Sequence, residues 1–149
     1  MRSKMMAAVA ATILAGALFG VAPAAAAEYE VKMLNKGAEG AMVFEPSFLR
    51  IAPGDTVRFL ATNKGHNVLS IEGMSPEGAA PFQSKMNEDI TVTFDKPGAY
   101  GFECKPHYGT GMVGLVIVGD PVNLAEAQAV PQKGKAKKRF ESLFGNVSQ

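Results

Sequence analysis

Between Cys104 and Met112 the chain reads CKPHYGTGM, which places its single cysteine, one of its two histidines and a methionine within nine residues. A thiolate, an imidazole and a thioether are soft or borderline donors suited to copper. Two imidazoles and one thiolate, with a weak thioether on the axis, form the donor set of an electron-transfer copper site. The missing imidazole can come only from His66, in NKGHNVL, 38 residues before the cysteine. The candidate ligands are therefore His66, Cys104, His107 and Met112, and no His or Cys is left over for a second site. Three of the four lie on one loop, where Gly109 and Gly111 permit a tight path. His66 comes from a separate segment, so the fold rather than the ion sets the geometry. Pro106 has no N–H and withholds one potential hydrogen bond from the sulfur, a contact of the kind that tunes a metal's potential.

These residues need a rigid scaffold, and 149 residues are enough for one domain with a core. Residues 1–27 read as a secretory signal peptide. Arg2 and Lys4 precede the uncharged apolar run Met5 to Leu18, and Ala25-Ala26-Ala27 before Glu28 gives a small-residue cleavage pattern near Ala27. Export to a periplasm-like compartment follows, with no membrane anchor in the mature form. A lone cysteine in an exported protein cannot close an internal disulfide, and ligation gives it a fixed partner. Removing residues 1–27 takes the formal charge from +1 to −1. That total hides a basic tail, Lys133, Lys135, Lys137, Lys138 and Arg139 against Glu141, behind a body acidic by about five charges. The basic run has no interleaved aromatics, which argues against nucleic acid as a partner.

From Tyr29 to Val118 the pattern is of short strands punctuated by Gly, Pro and Asn. YEVKMLN alternates, AMVFEPSFLRIAPGDTVRFLATN alternates on both sides of the turn at Pro53-Gly54-Asp55, and DITVTF, AYGFEC and MVGLVIV follow. Seven or eight strands in this arrangement predict a β-sandwich over residues 28–120. Pro121 ends the pattern, and residues 121–149 predict two short helices. In the first, Asn123 is placed to be the N-cap, with Glu126 completing a capping box. The second carries Phe140, Leu143 and Phe144 at helical spacing and Gly145 as its stop. Helices this short are marginal alone, so they are expected to pack on the sandwich.

The segments GHN and YGFECKPHYGTGMVG, with Cys-x2-His-x4-Met, resemble the type I blue copper proteins of the cupredoxin family. The opening MLNKGAEGAMVFEPSFLRIAPGDTVRF and the helical tail resemble the pseudoazurins within it. Plastocyanins share the ligand loop but are expected to stop near Val118, and amicyanins have a shorter His-to-Met spacing. The resemblance covers the chain from about Tyr29 to Gly145. It implies a mainly β, Greek-key cupredoxin sandwich, one copper ion cycling between Cu(I) and Cu(II), and a periplasmic one-electron carrier, monomeric, that serves an upstream donor and a redox enzyme such as a nitrite reductase. It implies that Asn67 holds the ligand loops together, and that the His107 edge reaches the surface in an apolar patch containing Met42 and Pro106. Lys36, Lys64, Lys85 and Lys105 are expected around that patch, where a positive ring would steer an acidic partner. Family members often carry a basic residue just before the cysteine, where this chain has Glu103.

The residues leave other chemistries open. A multicopper enzyme needs further histidines. Thiol catalysis by Cys104 with His107 needs a reactive thiolate. Structural zinc usually takes four Cys or His ligands. A periplasmic copper chaperone or store would hold Cu(I) without a reversible couple.

Overall fold

A computed structural model of the chain describes Gly20, Ala22 and residues 24–149; nearly all of the expected signal segment lies outside the described residues. Eight strands form two four-stranded sheets. The first is ordered β2 (Gly40–Glu45), β1 (Glu28–Gly37), β4 (Asp55–Leu60), β6 (Ile90–Phe94), and the second β3 (Phe48–Ile51), β8 (Val113–Val118), β7 (Gly98–Glu103), β5 (Leu69–Ser70). Pairs β1–β4 and β3–β8 are parallel and the others antiparallel. The two-residue alternation dictates which side chains face inward. Val31 and Met33 of β1, Val57 and Phe59 of β4 and Phe94 of β6 are buried between the sheets with Phe44 and Phe102.

Phe102 sits at the centre of that layer, its ring edge-on to Phe44 at 4.9 Å and to Phe59 at 5.1 Å. It fits because the residue paired with it on β8 is Gly114, where a Cβ would fall 2.2 Å from the ring. The turn between β3 and β4 is closed by Asp55. Its buried carboxylate accepts the N–H groups of Ala27 at 2.8 Å and Ala52 at 2.9 Å, while Gly54 takes the left-handed conformation the turn requires.

Every residue of β8 is buried, which an amphipathic strand would not be. Val116 and Val118 face the sandwich core, and Val113, Leu115 and Ile117 face the other way, where helices α1 (Leu124–Ala129) and α2 (Gly134–Gly145) cover them with Ala127, Ala136, Phe140 and Leu143. Burying side chains such as Phe140 and Leu143 contributes about 1.5–3 kcal/mol each, which fixes helices too short to stand alone. None of the helices among the described residues is long and apolar enough to cross a membrane.

Two sequence expectations fail here. Asn123 precedes α1 but makes no capping bond with its side chain. Its amide instead accepts from the Ala99 N–H at 2.7 Å and donates to the Ala99 carbonyl at 3.0 Å, tying the tail to β7. No capping box forms with the exposed Glu126, because Asn123 satisfies buried strand groups first. Nor does Gly145 stop α2: it is helical at φ −59°, and a 3-10 turn, Asn146–Ser148, continues the chain. If Asn123 is a bridge and not a cap, Asn123→Ser, which keeps a capping hydroxyl but is too short to span, should destabilise the metal-free protein as much as Asn123→Ala, by about 1–3 kcal/mol in urea unfolding.

Candidate metal centre

The site lies where the two sheets meet at one end. Cys104 follows β7 directly, and its N–H donates to the Met112 carbonyl at 3.0 Å, so the loop between them leaves and re-enters neighbouring strands. That loop winds as a 3-10 turn over Lys105–Thr110. Within it the His107 N–H donates to the Cys104 carbonyl at 3.1 Å, and the Met112 N–H to the His107 carbonyl at 3.1 Å. Gly111 ends the turn at φ 89°.

His66 arrives on the loop between β4 and β5. Its carbonyl accepts the Asn87 N–H at 2.9 Å, and the Asn87 side chain accepts the Gly65 N–H at 2.6 Å. Asn67 then reaches across, its Oδ1 accepting the Lys105 N–H at 3.0 Å, so the histidine loop and the cysteine loop are bonded together.

The donor atoms of His66, Cys104 and His107 all lie within 4.8 Å of one another. The Cys104 Sγ is 3.6 Å from His66 Nδ1 and 3.5 Å from His107 Nδ1, and the imidazole centroids are 4.8 Å apart. Such separations arise when each atom stands about 2.0–2.3 Å from one ion. Met112 is fully buried in the same cluster as Cys104. His66, Cys104 and Met112 have no exposed surface, whereas His107 is half-buried and alone among the four leads to solvent.

The electrostatics favour an ion over a free thiolate. Burial pushes the Cys104 thiol upward; the N–H groups of Asn67 and His107 pull the other way, and the Glu103 charge adds to the rise. A thiol raised in this way is a poorer nucleophile, which counts against thiol catalysis, and a metal that displaces its proton yields the thiolate. Burial, and then the neighbouring His107 charge, holds His66 below the usual histidine value, which favours the neutral ring a metal needs. Glu103 is itself raised by burial, with Lys105 opposing.

One residue that the sequence reading missed completes the geometry. Asn35, on β1, accepts from His66 Nε2 at 2.7 Å, which places the proton on Nε2 and leaves Nδ1 facing the sulfur. An asparagine in an alternating strand carries no sequence signal for this role.

The remaining candidates are close in sequence to residues of the site. Lys36 follows Asn35, Lys64 precedes Gly65, Lys85 stands two residues before Asn87, and Lys105 follows the cysteine; all four are exposed. Pro106 is exposed at the start of the 3-10 turn. Met42, in a left-handed conformation at φ 52°, packs half-buried against the core cluster that holds Cys104 and Met112. Met86, 45% exposed, adds an apolar side chain beside Lys85 that the sequence reading did not single out.

Residues 31–119 match the model of the copper binding proteins, plastocyanin/azurin family. The chain belongs to that family. It is 50% identical over 144 residues to a pseudoazurin of Paracoccus pantotrophus, covering 96% of this chain and 97% of the relative, and 48% identical over 140 residues to one of Methylorubrum extorquens, covering 93% and 95%. Among solved structures it resembles a Sinorhizobium pseudoazurin at TM-score 0.80 and 47% identity, covering 83% of this chain and 98% of the other. The pseudoazurin of Hyphomicrobium denitrificans follows at TM-score 0.78 and 42% identity, covering 82% and 99%. The ion of this cupredoxin is copper, and its donor set is that of a type I electron-carrying site.

Because Asn35 fixes the His66 tautomer, Asn35→Leu should weaken copper binding by about ten- to a hundredfold, read by competition with a Cu(I) chelator, while the fold persists.

Proposed function

We propose that this cupredoxin is an exported, mobile one-electron carrier of the periplasm that takes electrons from an upstream donor and delivers them to a nitrite reductase or a related denitrification enzyme. The observation that carries the reading is the asymmetry of the site: two imidazole nitrogens and a sulfur converge within 4.8 Å, and only the His107 ring approaches the surface. In this reading His66, Cys104, His107 and Met112 would hold the copper ion, Met112 as its weakest donor. When bound, copper supplies a one-electron couple.

The protein's part is to keep the donors where both oxidation states accept them. Asn35 holds the His66 ring and Asn67 locks the two ligand loops. The backbone of Asn67 and of His107 opposes the burial that disfavours charge on the sulfur. Burial of three of the four side chains keeps water from the ion, and the half-buried His107 is the short path out. With both histidines of the chain committed to one site, no ligands remain for a second catalytic metal of the His-rich kind, which supports a carrier over an enzyme.

Docking follows from charge. Lys36, Lys64, Lys85 and Lys105, each exposed and close in sequence to a residue of the site, would give the face of Met42, Pro106 and His107 a positive field that raises the encounter rate with an acidic surface and fades with salt.

Copper loading should give an intense Cu(II)–thiolate visible band that ascorbate bleaches and reoxidation restores, and Cys104→Ser should abolish it. A colourless protein, or one that loses copper on cycling, would favour the chaperone or store. Met112→Gln should retain copper at a lower potential by voltammetry; an unchanged potential removes Met112 from the donor set. In stopped-flow mixing with a copper nitrite reductase at low salt, Lys36→Glu and Lys105→Glu should each slow transfer about three- to tenfold. Lys96→Glu, on the β6–β7 turn at the other end of the strand leading to Cys104, should not.

A further inference from the structure

The ligand loop is tied on one side to the His66 loop through Asn67; its other side rests on the helical tail. Tyr108, the neighbour of His107, is half-buried, and its hydroxyl donates to Gln132 Oε1 at 2.6 Å while accepting the Lys133 N–H at 3.3 Å. Both partners belong to the linker between α1 and α2. The other end of the Gln132 amide donates to the Met74 sulfur at 3.3 Å. Met74 is fully buried and lies over Gly101, where a Cβ would be 2.6 Å from its terminal methyl; Gly101 is three residues before Cys104 on β7. A second contact stands beside the first: a Cβ at Gly111 would lie 3.3 Å from Lys135 Cβ, so the start of α2 is in contact with the loop just before Met112. The tail thus joins the segment that carries His107 and Met112 to the strand that carries Cys104.

From this geometry we infer that Tyr108 and Gln132 are positioning residues for the metal site, a strut by which the C-terminal helices hold the ligand loop in its ligating shape before and after an ion arrives. The inference rests on the copper-carrier reading for its consequence, but the strut is a property of the polypeptide. Packing alone gives no reason for a half-buried glutamine in the linker, whereas an amide that accepts from the loop and donates to a buried sulfur links the loop to the residue lying over β7. A loop held this way keeps one arrangement as charge changes on the ion, and freeing it adds motion at His107 and Met112.

The test uses the full mature chain in two states. In the metal-free protein, hydrogen exchange at the Gly111 and Met112 amides, which bond to the Tyr108 and His107 carbonyls, should quicken about five- to tenfold in Tyr108→Phe and in Gln132→Ala. In the Cu(II) form the same variants should change the visible band ratio and the copper hyperfine splitting. Gln132→Glu, which keeps an acceptor for the tyrosine hydroxyl but loses the donor to the Met74 sulfur, should restore both in part. Wild-type exchange and spectra in Tyr108→Phe and Gln132→Ala, with only the urea midpoint lowered, would overturn the inference, because the bonds would then merely attach the tail. So would a Gln132→Glu variant no better than Gln132→Ala. Failure of the carrier reading would show separately, as a wild-type protein with no reversible couple, and would leave the exchange result standing.

Discussion

A sulfur buried to the point of having no contact with water cannot hold a charge by itself, and the architecture around Cys104 answers that constraint. The structure supplies two imidazole nitrogens within 3.6 Å of the sulfur and a wall of apolar side chains. None of these compensates fully without a cation, so the polypeptide is built as one part of a charge-balanced whole. Burial lowers the reactivity of the free thiol and shields a metal thiolate from water.

The strand layout serves this same point. β7 and β8 are adjacent and antiparallel, so the loop that leaves one as Cys104 and enters the other after Met112 has both ends fixed by ladder hydrogen bonds. Both faces of β8 must then be covered, one by the facing sheet and the other by the helices. The tail is therefore required by the apolar composition of Val113, Leu115 and Ile117, quite apart from any part it plays at the loop.

Much of this was legible from residue types. Cysteine and histidine are so scarce in the chain that their grouping pointed to the ligands, and period-two alternation with Pro and Gly punctuation pointed to the sandwich. Amides were the illegible part. Asn35, Asn123 and Gln132 each form long-range bonds that depend on which strand lies beside which, and nothing in local sequence encodes that. Asn123 misled for a physical reason: a residue suited to capping a helix is equally suited to bridging a strand's N–H and C=O, and burial favoured the second. Gly145 misled because glycine permits the left-handed stop without requiring it.

The central position of β8 also governs assembly. Its pairing with β3 joins residues such as Phe48 and Leu115, and β1 joins β4 across the intervening turn and strands. These are non-local contacts, formed slowly and late. Until they form, His66 and Cys104 are separated by 38 residues of loose chain and offer an ion no preformed cage. A chain not yet folded would therefore hold no copper at this site, and selection of the ion would fall to the surroundings in which the last strand closes.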